Sequence, residues 1–150
     1  MTINEYKLKS YGVNGKMLQW ITDFLSNRIQ AVKVDNSMSD YVSFISGVPQ
    51  GSVVGPVLFL LYINDIVDLF GGGLTVKMFA DDVEIYAVIN NISDANRFQR
   101  GLESLNDWSQ LRQLPISINK CAVLHLGRNN LCNNYALHNV NLPSVTEFND

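Results

Sequence analysis

Two adjacent carboxylates, Asp81 and Asp82, interrupt a stretch that otherwise reads as strand, with Thr75 to Met78 before them and Val83 to Val88 after. Such a pattern folds back on itself as a hairpin with the acids at its tip. Successive side chains of an extended strand face opposite sides, so the two acids converge on one ligand only where a turn bends the chain between them. Carboxylates held this close repel each other, and a divalent cation relieves the repulsion. Asp is also a common turn residue for its local hydrogen bonding. Phe79, Ala80, Asp81 and Asp82 by themselves therefore leave two readings open, a cation site and a plain polar tip.

Upstream, Gly47-Val48-Pro49-Gln50-Gly51-Ser52-Val53-Val54-Gly55-Pro56 runs directly into the apolar stretch Val57 to Ile63. Gly, Pro and Gly in so short a span force a defined loop. Ser52 is placed to cap the helix that follows, Pro56 suits its first turn, and the free backbone N–H groups there favour an anion such as a phosphate. The alternative is an ordinary loop ahead of a buried helix.

The remaining pattern is α+β. Met17, Leu18, Ile21, Phe24 and Leu25 recur at helical spacing. Asp35-Asn36-Ser37 forms a polar turn between strand-like Ala31 to Val34 and Tyr41 to Ile45. The apolar helix after the loop ends near Asp68, before Gly71-Gly72-Gly73. Ser93 reads as the N-cap of a helix whose apolar face is Phe98, Leu102, Leu105 and Trp108. Leu114 to Ile118 and Ala122 to Leu126 read as strands, and Tyr135 to Leu142 as a weaker hairpin. No repeat, low-complexity tract or linker marks a second domain. The architecture expected is an antiparallel sheet with helices packed on one face and the acids at one edge.

Composition narrows the class. At 150 residues, 47% hydrophobic and 10% aromatic, the chain has enough apolar material for a real core. A net charge of −3 is unusual for a nucleic-acid protein, where basic stripes meet phosphate. Cys121 and Cys132 lack the spacing of a zinc module, and no zinc is expected; they read as reduced thiols of an intracellular protein, cytoplasmic or nuclear. His125 and His138 read as structural. No signal peptide is evident, and the most apolar window, Val53 to Phe70, is interrupted by Pro56, Asn64, Asp65 and Asp68, which leaves no membrane span.

Taken together, GVPQGS before a helix and FADD on a hairpin resemble the two central motifs of reverse transcriptases. The likeness is strongest to polymerases of non-long-terminal-repeat retrotransposons of the jockey type. It is carried by GVPQGSVVGPVLFLLYINDI, FADDVEIY, LPISINKCAVLHLGR and the N-terminal YGVNGKMLQWITDFLSNR, and so runs from about Leu8 to the last residues. The resemblance implies a polymerase palm and two-metal nucleotidyl transfer with Mg²⁺ or Mn²⁺. In that reaction two ions stabilise the attacking 3′-hydroxyl and the departing pyrophosphate. It implies an RNA template, a DNA primer and dNTPs as partners. On the resemblance Asp81 becomes a shared metal ligand and Asp82 a supporting one, while Phe79 lies under the primer terminus and Ala80 leaves room for it to approach. Gly47, Val48, Pro49, Gln50 and Gly51 contact nucleotide and template, with Gln50 supplying its amide. The resemblance puts Lys120 near the pyrophosphate as a general acid, the alternative being a solvated loop lysine.

The chain also departs from that family. A third carboxylate, carried in a pattern like FDxxxAFDxVxH ahead of the YG segment, is not in this sequence, and Met1 reads as lying inside the helix after it. Glu5, Asp23, Asp35 and Asp40 read as solvated residues rather than replacements. The expectation is a partial domain over residues 1–150, lacking the fingers, the first catalytic strand and the thumb, and inactive in isolation. Arg112 stands where a second Trp commonly closes a WxxxW pattern with Trp108, and Glu84 adds negative charge beside the acids. Two other classes are open: a silent palm-fold module that only binds or scaffolds, and a metal-dependent nuclease using Asp81, Asp82 and Glu84, which the GVPQG loop disfavours.

Overall fold

The structure is a computed structural model that describes residues 5–44 and 46–147. Contacts gather into two compact units, 1–64 and 65–150.

In the first unit, helix α1 (Glu5–Ser10) packs against α2 (Gly15–Leu25) and α3 (Gly55–Ile63). Leu8, 2% exposed, is the pin of this cluster, with Leu18, Ile21, Leu58, Tyr62 and Ile63 buried around it. Leu18 and Ile21 are three residues apart on one face, as the helical spacing predicts, whereas Met17 turns to solvent. The Lys7 ammonium donates to the Tyr62 carbonyl and lies 5.3 Å from the centre of that ring, tying α1 to the end of α3. Asn64 Nδ2 donates to Tyr11 Oη at 3.1 Å.

The segment between α2 and α3 is a broken ribbon. Strand β1 (Ile29–Gln30) pairs antiparallel with β4 (Val42–Ser43), and β2 (Lys33–Val34) with β3 (Ser37–Met38) around Asp35-Asn36. The expected strand Ala31 to Val34 is thus split, and the turn is a residue shorter than expected. The reason lies at Ser39: its Oγ accepts from Val32 N–H at 2.9 Å where a ladder carbonyl would stand, and its own N–H donates to Val32 O. Of the expected strand Tyr41 to Ile45, Val42–Ser43 pairs and Ile45 lies outside the described residues.

Helix α3 gives way to a 3₁₀ helix, Asn64–Leu69, so the apolar run ends near Asp68 as expected but in a tighter coil. In the second unit, β5 (Thr75–Phe79) and β6 (Asp82–Tyr86) form the expected hairpin, then come α4 (Ile92–Arg112) and a 3₁₀ turn, Ile118–Lys120. Strand β7 (Val123–Leu124) runs parallel to β10 (Ser144–Val145), and β8 (Ala136–Leu137) pairs antiparallel with β9 (Val140–Asn141). His138 and Asn139 form the β8–β9 turn, both with positive φ, as a type I′ turn requires.

Ala95, Leu102, Tyr135 and Leu137 form the core of this unit, joined by Ile85, Phe98, Ile116 and Val123. The Phe98 and Tyr135 rings meet tilted, 4.8 Å apart. Gln99 clamps β8: its Nε2 donates to Ala136 O and its Oε1 accepts from Ala136 N, each at 3.0 Å, so a side-chain amide does the work of a neighbouring strand.

Three expectations need correction. Helix α4 is capped by Asn91, whose side chain accepts from Asp94 N–H at 3.0 Å, not by Ser93, which lies within the first turn. Leu114 to Ile118 is not a strand: Leu114 N–H closes back on Ser109 O, and Pro115 has no N–H to give a ladder. The class is α+β, but among the described residues the strands pair two by two, and one pair is parallel, rather than forming one antiparallel sheet.

The Trp-to-Arg departure has its own solution. Arg112 pairs through Nη2 with Asp65 Oδ2, and Trp108 Nε1 donates to Asp65 Oδ1 at 3.2 Å. The charge is held by a carboxylate rather than only by the end of the helix.

Candidate active site

The hairpin tip is a two-residue turn, Ala80-Asp81, closed by the pair Phe79 and Asp82. Ala80 carries φ +53°, the left-handed region where a Cβ is crowded and where turns of this length place their first corner. The bend needed to free Asp81 from strand alternation is therefore present, between the two strands at the tip. Phe79, Ala80, Asp81 and Asp82 are all exposed, Phe79 to 83%.

Alternation then sorts the hairpin into two faces. Val76, Met78, Val83 and Ile85 are half-buried, whereas Thr75, Lys77, Phe79, Asp82, Glu84 and Tyr86 face solvent. Glu84 stands across the ladder from Lys77, whose ammonium lies 5.8 Å from the centre of the Tyr86 ring. Among the described residues, neither the Asp81 nor the Asp82 carboxylate accepts a hydrogen bond or joins an ion pair. Their oxygens are bare hard donors of the kind Mg²⁺ takes, usually one or two carboxylates with water and substrate phosphate completing the shell. They suffice for that partial set and no more, since among the described residues no group of three His, Cys, Asp or Glu could hold a metal.

Lys120 is exposed at the end of the 3₁₀ turn, its N–H bonded to Ser117 O at 2.9 Å, and its ammonium is not drawn to either acid by an ion pair. Among the described residues Glu84 likewise joins no group of three such ligands.

The GVPQG loop belongs to the first unit. Gly47, Val48 and Pro49 are half-buried, whereas Gln50 and Gly51 are exposed, which leaves the Gln50 amide open to solvent. Gly47 and Gly51 take φ of +93° and +81°. Ser52 acts as the cap expected of it, two positions early: its Oγ accepts from Gly55 N–H at 3.0 Å and donates to Pro49 O at 2.7 Å, while the helix N-cap itself is Val54. Pro56 lies in the first turn. A side chain on Gly55 would place its Cβ 2.8 Å from Ser52 Oγ and 3.0 Å from Pro49 O, so only glycine lets the loop close on the helix. That requirement was legible only as one more glycine in a glycine-rich stretch.

Glu5 pairs with Lys9 at 3.1 Å, and Asp23, Asp35 and Asp40 are exposed in the first unit. Cys121 and Cys132 are free thiols, and burial raises the Cys121 thiol above its ordinary range. His125 stacks on Tyr135 with ring centres 6.3 Å apart. Among the described residues no helix is long and apolar enough to cross a membrane.

The chain belongs to the family described as reverse transcriptase (RNA-dependent DNA polymerase), whose match runs over residues 1–146 and so takes in both the hairpin tip and the glycine–proline loop. Among curated proteins it is similar to an RNA-directed DNA polymerase from the mobile element jockey of Drosophila funebris, 29% identical over 78% of this chain and 13% of the relative. It is also similar to a probable RNA-directed DNA polymerase from transposon X-element of Drosophila melanogaster, 30% identical over 75% of this chain and 12% of the relative. A third likeness is to a type-1 retrotransposable element R1 polyprotein of Nasonia vitripennis, 34% identical over 53% of this chain and 20% of the relative. The chain thus spans a fifth or less of these relatives' lengths. No solved structure matches it.

Proposed function

We propose that these 150 residues carry part of the palm of a retrotransposon RNA-directed DNA polymerase, and that Asp81 is its principal metal-binding carboxylate. The observation that supports this most is the pair of unpartnered carboxylates at the turn of a hairpin in a chain of this family. Asp82, on the first position of β6, supports Asp81. Magnesium or manganese, two ions in the intact enzyme, would supply charge neutralisation at the attacking and leaving oxygens. The chain's own residues position the partners. Phe79 offers an exposed ring for the primer terminus, and Ala80, with one methyl, leaves room beside it. Gly47 to Gly51 present the Gln50 amide and exposed backbone to nucleotide and template. Lys120, exposed and not engaged with an acid, is free to bring a proton toward departing pyrophosphate.

Partners on this reading are an RNA template, a DNA primer and dNTPs. The 150 residues alone do not extend a primer, because the family's third carboxylate and the fingers are not among them. The test joins the fingers and missing strand of an active relative to this chain and assays extension on RNA beside an Asp81→Ala control. Extension above the control supports the reading. A folded chimera no better than the control replaces it with a catalytically silent palm-fold module that binds or scaffolds.

A further inference from the structure

Within the second unit, a shallow cavity of about 160 Å³ opens between the loop ahead of β5 and helix α4. Its wall includes Phe70, Leu74, Arg97, Arg100 and Gly101. Glycine in the middle of a helix is unfavourable relative to alanine, so Gly101 calls for a reason. A Cβ there would fall 2.6 Å from Leu74 Cδ2 and 3.4 Å from Phe70 Cδ1, so the glycine lets the Leu74 and Phe70 side chains lie directly on the helix. The loop then turns through Gly72 and Gly73, at φ +66° and +97°, and passes beside the Arg97 guanidinium, whose Nη2 would be 3.7 Å from a Cβ on Gly73.

The two arginines are one helical turn apart on the same face. Arg97 is held in place by Asp94 at 2.8 Å, and Asp94 is itself fixed by accepting from Asn90 N–H at 3.0 Å. Arg97 Nε is buried without a hydrogen-bond acceptor. Arg100 is exposed and has no acid partner among the described residues. Residues 65–150 hold ten Asp and Glu against six Lys and Arg, so two cations on one cavity wall stand out against an acidic background.

We propose that this cavity is a phosphate-binding contact for a single nucleic-acid strand, formed by residues other than the acids of the hairpin. Guanidinium groups match phosphate oxygens in shape and charge. An open, shallow site suits a phosphodiester whose neighbours remain in solvent better than it suits an enclosed free ion. The proposal extends the polymerase reading without depending on Asp81.

The test is fluorescence anisotropy of a labelled single-stranded oligonucleotide with the 150-residue chain, in EDTA so that the metal-binding acids play no part. Arg100→Gln is expected to weaken binding at least about threefold and to lower the slope of log K against log salt by about 0.7. Its circular dichroism and melting temperature should match the parent, because Arg100 is exposed and unpaired. Arg97→Gln should weaken binding as well, and Arg128→Gln, in the turn after β7, should not. Parental affinity in Arg100→Gln, an equal loss in Arg128→Gln, or no binding by the parent overturns the proposal. Arg100-dependent binding of inorganic phosphate without binding of the oligonucleotide overturns the assignment to a strand.

Discussion

The loop at 47–55, in the first unit, and the hairpin tip at 79–82, in the second, are built on different principles. The loop bonds to itself where it meets its helix: Ser52 bonds to Pro49 and Gly55, and Gly55 is closed upon, while the Gln50 amide stays open to solvent. The tip is held by its ladder and, among the described residues, leaves its charged oxygens without partners. The loop spends a side-chain hydroxyl on its own shape, whereas among the described residues the tip spends neither carboxylate on the fold. Sequence charge follows the same division, with five Lys and Arg against four Asp and Glu in residues 1–64 and six against ten in 65–150.

The largest effect should come from breaking the loop. Gly55→Ala puts a methyl within 3.0 Å of two oxygens, one of them backbone, so the loop must move. We expect a loss of about 1–3 kcal/mol in urea unfolding, the usual cost of overpacking. A midpoint equal to that of the parent would show that the loop yields freely and would erase the contrast with the tip.

A smaller change of opposite sign is expected at the tip. Ala80 sits at φ +53°, where a Cβ is strained. Ala80→Gly should stabilise the chain by up to about 1 kcal/mol. If the residue is there to leave space rather than for stability, the gain comes with a looser turn and weaker Mn²⁺ binding. Destabilisation by Ala80→Gly would mean that the turn is not strained.

What could be read from the sequence was what local rules dictate. The hairpin was legible because two alternating runs flank a turn, and α2 and α4 because their apolar residues repeat at helical spacing. Features that depend on partners distant in sequence were not. Nothing near Arg112 announces Asp65, and nothing near Gln99 announces Ala136. Ser93 reads as the cap from the sequence and Asn91 caps in the structure; both residue types cap well, and the choice turns on backbone geometry, with Asn91 extended at φ −152° while Ser93 is already helical. Gly101 was a visible warning, since a helical glycine usually marks a close approach. The catalytic assignments came through the resemblance. The geometry adds that Asp81 occupies the turn and Asp82 the strand.

Alkaline pH should separate the units by a smaller margin. Burial raises both the Cys121 thiol and the Tyr135 phenol, with Asn133 pulling the latter back in part. Both groups belong to the core of the second unit, and both are neutral when protonated. Because their folded pKa values lie above the unfolded ones, the stability they lend is complete below the ordinary values of 9.0 and 10.0 and is lost as pH rises through the folded values. Trp108 reports on this unit and Trp20 on the other. In Trp20→Phe, the Trp108 fluorescence melt should shift down between pH 8 and pH 11 by more than the Trp20 melt does in Trp108→Phe. Equal shifts would place the alkaline sensitivity elsewhere.

The smallest expected effect on stability is also the sharpest test of the contrast. Asp81 is exposed, bonds to nothing among the described residues, and has Asp82 as its chain neighbour. Replacing it by Asn removes a repulsion and no attraction, so Asp81→Asn should change the unfolding free energy by no more than about 0.5 kcal/mol, as for surface positions generally. Asp82→Asn should be as mild. Mn²⁺ relaxation should separate them, with ion affinity lost in Asp81→Asn and only reduced in Asp82→Asn, since the turn frees Asp81 from the ladder that fixes Asp82 opposite Phe79. Equal losses of ion binding would refute that ranking. A large loss of stability in either variant would mean that the carboxylate serves the fold, and the contrast between a loop bonded to itself through Ser52 and a tip whose acids the fold does not use would fail at the residue on which it rests.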